Sequence, residues 1–166
     1  DLIQILFPSG RDDLPLMDEL VPQTVKTENW TGGTADNTWV ALSGTWNITS
    51  GQVSHASSGD DYYRLDYVFG GSDRMATAVV ISINNYGRGI IGRGDSTGAN
   101  HYMAYGYAAN NARILKRVSS SYTSIYTGGV AYSANDVAGI RSVGSNHKLY
   151  RNGSDISSGG VTDTAV

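Results

Sequence analysis

Residues 90–118 read IIGRGDSTGANHYMAYGYAANNARILKRV, and this stretch decides the fold. Two polar clusters, Gly94 to Asn100 and Ala108 to Asn111, are built from residues that accept left-handed backbone angles or bond their own main chain. They divide the stretch into three runs, which read as consecutive β-strands. Side chains alternate across a strand with period two, which places Met103, Tyr105 and Tyr107 on one side. His101, Tyr102 and Ala104 do not share a single opposite face, so the register of this strand stays open.

Composition extends the same reading outward. The chain of 166 residues holds 21 glycines and 11 tyrosines, but glutamate only at Glu19 and Glu28. Strong helix formers are scarce, whereas β-branched and aromatic residues cluster in short runs between Gly and Asn. The fold class is therefore all-β, an antiparallel β-sandwich. A domain of this length hides roughly two thirds of the surface its unfolded chain would expose, and it requires no staple. Cysteine is absent, which excludes a disulfide framework and a thiolate metal site. A net charge of -3 with 16% charged residues lacks the basic footprint of a nucleic-acid binder. No run approaches the roughly 20 apolar residues that span a bilayer, so membrane insertion is not expected.

Residues 1–27 differ in texture, with all three prolines (Pro8, Pro15, Pro22) and the apolar run Leu2 to Phe7. Proline lacks the donor a central strand requires. An extended N-terminal arm is expected, lying over the domain's own sheet edge or on a neighbouring subunit. Residues 28–166 then form the sandwich domain. Within it, Trp46 and Ile48 share a face of a hairpin closed by Ser50-Gly51, and Tyr63, Leu65, Tyr67 and Phe69 share a face of the next strand. In residues 74–83, RMATAVVISI, the side chains of Met75, Val79, Ile81 and Ile83 are expected to face the core of a central strand. Ala76, Ala78 and Ser82 would then line a concave outer face. Further on, Ala138 and Ile140 point inward from residues 136–143, and Asn152-Gly153 fits a type I′ hairpin turn.

Five segments occur in a telling order: Gly44-Thr45-Trp46-Asn47-Ile48, Ile90-Ile91-Gly92-Arg93, His101-Tyr102-Met103-Ala104, Ile114-Leu115-Lys116-Arg117 and Leu149-Tyr150-Arg151-Asn152-Gly153. Together they resemble the concanavalin A-like lectin/glucanase jelly roll in its LamG-like form, over residues 28–166. The resemblance implies a jelly-roll sandwich of the kind found in phage virion and adhesion proteins. Catalytic members of that superfamily carry a Glu-x-Asp-x-x-Glu strand, which a chain with glutamate only at positions 19 and 28 does not have. Retaining hydrolysis needs two carboxyls about 5 Å apart with divergent pKa values, so no enzyme activity is expected. The family also closes with glycine-rich and aromatic strands not seen before Val166. Either a tail follows, or the arm at Leu2 to Phe7 fills that place.

By analogy with that family, the expected function is a noncatalytic structural or adhesive protein at a bacteriophage virion surface, as a capsid decoration or fibre. Other virion subunits, met through the arm, and cell-surface glycans are the expected partners, and a homo-oligomer is the expected assembly. The alternatives are a secreted bacterial carbohydrate-binding module and a degenerate glucanase-like hydrolase. Glycans are held by apolar ring faces with hydrogen-bonding groups beside them, which nominates Trp39, Tyr62, Tyr86, Asp95 and Tyr102. No cofactor is expected, although Asp60, Asp61 and Asp95 supply the loop oxygens that calcium takes. His55, His101 and His147 lack the spacing of a zinc site. Arg93-Gly94-Asp95 resembles the integrin-recognition tripeptide, which a glycine-rich chain produces by chance. The sequons at Asn29, Asn47 and Asn152 are near the number chance supplies.

Overall fold

Short β-prone runs between turn-forming clusters can satisfy their backbone groups only by pairing with one another. A computed structural model describes residues 39–42, 44–49, 52–55, 63–65, 73–80, 88–106 and 111–166. Its strands are β1 (Trp39–Ala41), β2 (Trp46–Thr49), β3 (Gln52–His55), β4 (Tyr63–Leu65), β5 (Arg74–Val79), β6 (Arg88–Gly94) and β7 (His101–Gly106). They continue with β8 (Arg113–Val118), β9 (Ser121–Thr127), β10 (Val137–Val143), β11 (Asn146–Arg151), β12 (Ser154–Asp155) and β13 (Val161–Thr162). No helix occurs among the described residues. The expected arm and its boundary at residue 27 lie outside them.

Every strand pairing is antiparallel. One sheet runs β6-β7-β8-β9, and a five-stranded sheet runs β12-β11-β10-β5 with β13 also on β11. The two sheets face each other, β10 lying against β6 and β7 and β11 against β8. Tyr102, Ala104 and Ile114 from the first meet Ala138, Ile140 and Leu149 from the second in one buried cluster. That is a β-sandwich. The β2–β3 hairpin and a β1–β4 ladder are separate two-stranded pieces.

The meander of residues 90–118 forms as its turn residues require, and the register settles its ambiguous strand. Gly94 pairs with His101 and Ile91 with Met103, so His101, Met103 and Tyr105 share a face while Tyr102 and Ala104 take the other. Residues 101–104 are all buried, which is why no polar side could be read from them. At the far end, Asn152 and Gly153 both hold positive φ, 51° and 81°, as a type I′ turn demands.

Strand β5 reverses the expected orientation. Met75 and Val79 are 52% and 56% exposed, whereas Ala76 and Val80 pack against the core. Ala76 lies opposite Ile140 and packs on the core, Ala78 opposite Ala138 shares its face but is exposed, and Ile81, Ser82 and Ile83 lie outside the described residues. Across the gap Gly92 approaches so closely that a Cβ on it would sit 2.6 Å from Ile140 Cγ2. Sheets this near leave room only for small side chains beside Ile140. Among the described strands β5 also ends its sheet rather than occupying the centre.

Candidate functional site

Inward placement of Ala138, Ile140 and Ser142 on β10, and of His147 and Leu149 on β11, dictates what the outer face of the five-stranded sheet carries. Met75, Thr77 and Val79 come from β5, Val137, Gly139, Arg141 and Val143 from β10, and Asn146, Lys148 and Tyr150 from β11. Gly139 sits between Thr77 and Tyr150 and is buried by them: a Cβ on it would lie 3.1 Å from Thr77 Cγ2 and 3.4 Å from Tyr150 Cβ. One register step away, Arg141 stands between Met75 and Lys148. Arg141, Val143, Asn146 and Lys148 line a depression of about 230 Å³.

Two cations directly opposite on neighbouring strands repel. Lys148 is compensated by Asp155, with Nζ 3.3 Å from Oδ2. Burial works to raise the Asp155 carboxyl, but hydrogen bonds from Ser157 and the Lys148 ammonium outweigh it and hold the group below its ordinary value. Arg141, fully on the surface, has no carboxylate within ion-pair distance among the described residues. The face thus combines an aromatic ring, aliphatic side chains, an amide and an uncompensated guanidinium.

Of the residues nominated from sequence, Asp95 and Tyr102 lie away from this face. Asp95 closes its own loop, accepting from Thr97 N and Oγ1 and Ala99 N through Oδ1 and from Asn100 N and Nδ2 through Oδ2. The Thr97 hydroxyl leads the causes that lower its carboxyl to about 2. Both oxygens are committed, so neither a calcium ion nor a receptor finds the free carboxylate that an exposed Arg-Gly-Asp loop displays. Arg93 is likewise drawn away, donating from Nη1 to Gly144 O at 2.7 Å. Tyr102 is buried; its ring stacks 3.8 Å from that of His147 and its hydroxyl donates to Asp163 Oδ1 at 2.5 Å. No ring face remains for a ligand. Trp39 begins β1, opposite Leu65, while Tyr62 and Tyr86, like Asp60 and Asp61, lie outside the described residues.

His101 and His147 are separated as well. His101 points to the outer face of the β6–β9 sheet with Nδ1 against Gly98 O, while His147 is buried between the sheets against Ser142 Oγ and Asp163 O. Among the described residues no three His, Asp or Glu side chains gather as a metal site. Asn152 of the last sequon bonds Val137 N and Asp136, serving the turn itself.

In the sequence Arg141 and Tyr150 read only as strand and hairpin residues, and Asn146 and Lys148 carry no functional reading. The signal was present in the pattern: in VAGIRSV the residues alternating with Ala138 and Ile140 must face out. A tight turn at Gly144-Ser145 then folds Lys148 opposite Arg141.

The sequence matches no family model and no curated protein. In structure the chain is similar to the carbohydrate-binding module CBM66 from Bacillus subtilis. The TM-score is 0.63 at 19% identity, covering 72% of this chain and 77% of that one. At that identity the likeness speaks to fold. The chain has a β-sandwich architecture shared with a carbohydrate-binding module, which agrees at the coarse level with the jelly-roll resemblance of the sequence.

Proposed function

We propose that this chain is a noncatalytic carbohydrate-binding domain that offers the outer face of its five-stranded sheet to a polysaccharide. The observation that carries the proposal is the outer-face row of Thr77 and Tyr150 beside Arg141, Asn146 and Lys148. An aromatic residue and hydrogen-bonding groups share that face at strand spacing, as a sugar chain requires. The carbohydrate-binding module that shares the fold supports this reading over a virion component.

The carboxylates favour binding over hydrolysis. A glycosidase needs an acid whose pKa is raised, whereas the described aspartates with displaced values, Asp95, Asp136, Asp155 and Asp163, are all held down by donors. The test is affinity electrophoresis through gels containing neutral and acidic polysaccharides, with reducing-end release measured in parallel. At least one polysaccharide class retards the protein, no reducing ends appear, and Tyr150→Ala weakens binding about tenfold. Uniform mobility in every gel, or release of reducing ends, overturns the reading.

A further inference from the structure

We infer that the depression between Arg141 and Lys148 is a carboxylate subsite, and that the polysaccharide the domain takes is built from uronic acids. This rests on the carbohydrate-binding reading and gives it a substrate class. The protein carries a net charge of -3, yet its outer sheet face places two cations side by side. On an exposed strand pair that arrangement costs stability unless an anion sits between them. Asp155 answers Lys148 alone.

Arg141 presents a planar fork of N–H donors whose spacing matches the two oxygens of a carboxylate, and Lys148 adds a point charge from the neighbouring strand. The Val143 and Met75 side chains flank the pair and suit the C–H face of a sugar ring, and the Asn146 amide stands at the end of the depression toward the hairpin. Tyr150 lies two residues along β11 from Lys148, roughly 7 Å at strand rise. A ring placed beside Tyr150 therefore brings the substituent of the next unit toward Arg141. The occupant this geometry fits has a planar anion on a ring that is otherwise hydroxylated and apolar on one face, which is a uronate unit. A tetrahedral sulfate ester would find neither a second guanidinium nor a ring of backbone N–H groups here.

The experiment uses the full chain and calorimetric titration with polygalacturonate and alginate oligosaccharides, their carboxyl-reduced counterparts, and dextran sulfate. The acid forms bind, reduction of the carboxyls weakens binding at least about tenfold, and added salt weakens it further. Arg141→Ala loses about tenfold or more. Arg141→Lys recovers only part of that loss, because it keeps the charge without the fork. Asp155→Asn, which removes the anion beside Lys148 while keeping an acceptor for Ser157, strengthens binding severalfold. Arg141 is exposed, so these variants fold as the parent does, and circular dichroism checks it.

Equal affinity for acid and carboxyl-reduced forms overturns the subsite while leaving a carbohydrate-binding domain standing. Binding of dextran sulfate as tight as that of polygalacturonate, or an Arg141→Ala protein that binds normally, also overturns it. Binding of no polysaccharide at all overturns the proposed function itself.

Discussion

At the scale of single residues, polar side chains tie the sheets together alongside the apolar core. Asp163 accepts from Tyr102 Oη at 2.5 Å and from Lys116 Nζ at 2.7 Å, and its backbone oxygen meets His147 Nε2 at 3.1 Å. One residue, through its carboxylate and its backbone oxygen, thus joins β7 and β8 to β11 across the gap. Tyr102→Phe keeps the ring stacked on His147 and removes only the hydroxyl, leaving Asp163 Oδ1 with Ala165 N as its remaining donor. Hydrogen bonds to charged groups contribute more than neutral ones, so a loss of about 1.5 kcal/mol is expected in urea unfolding. An unchanged midpoint would show that solvent replaces the hydroxyl. The sequence nominated Tyr102 for the opposite role because an aromatic beside a polar loop looks exposed. Nothing local records that Asp163, 61 residues away, comes to meet it. Asp95 was nominated as a loop hydrogen-bonding group, although the signal against that role was local: Thr97 and Asn100 follow it at the spacing of a self-capped turn.

At the scale of elements, legibility depended on whether alternation also fixes direction. In β10 the apolar and polar residues differ enough that Ala138 and Ile140 could only point inward, and the Asn152-Gly153 turn fixed the hairpin beyond it. In β5 both faces are apolar, one small and one large, and period two states only that they differ. The close approach of Gly92 to Ile140 decides the matter, and that distance is a property of the partner sheet. The inverted face makes a paired prediction. Ala76→Leu forces three extra carbons against Ile140 and the core, so overpacking of about 1–3 kcal/mol is expected. Met75→Ala removes a half-exposed side chain and is expected to change stability by no more than about 0.5 kcal/mol. Thermal or urea unfolding of the two variants distinguishes the orientations, because the opposite ranking requires Met75 to be the core residue. The functional face was illegible for a related reason: Arg141 and Lys148 acquire meaning only when the register sets them side by side.

At the scale of the whole molecule, the displaced titrations add up to a stability profile over pH. His147 is buried, and burial is the main cause holding its pKa below the ordinary 6.5. The unfolded chain therefore takes up a proton that the folded one resists, and stability begins to fall as pH drops through 6.5. Asp95 and Asp163 are held at about 2 against an ordinary 3.8. For Asp163 burial opposes the shift, but the donors Lys116 and Tyr102 prevail. The stability these carboxylates contribute is present above pH 3.8 and is lost as pH falls toward 2, steepening the acid limb. On the alkaline side Tyr102 is pushed up to about 12 from 10.0, first by burial and then by the Asp163 carboxylate. The folded state keeps this proton while the unfolded state sheds it, so stability declines again above pH 10.0. The expected curve of urea midpoint against pH is a dome with a shoulder near neutrality, a steep acid limb and an alkaline limb. Burial raises Tyr132 above its ordinary 10.0 as well, so Tyr102→Phe should shrink the alkaline limb without abolishing it, and His147→Gln should remove the shoulder, each leaving the other feature in place. If His147→Gln leaves the shoulder intact, the proton taken up near neutrality belongs to another histidine, and the stack between Tyr102 and His147 is open to water.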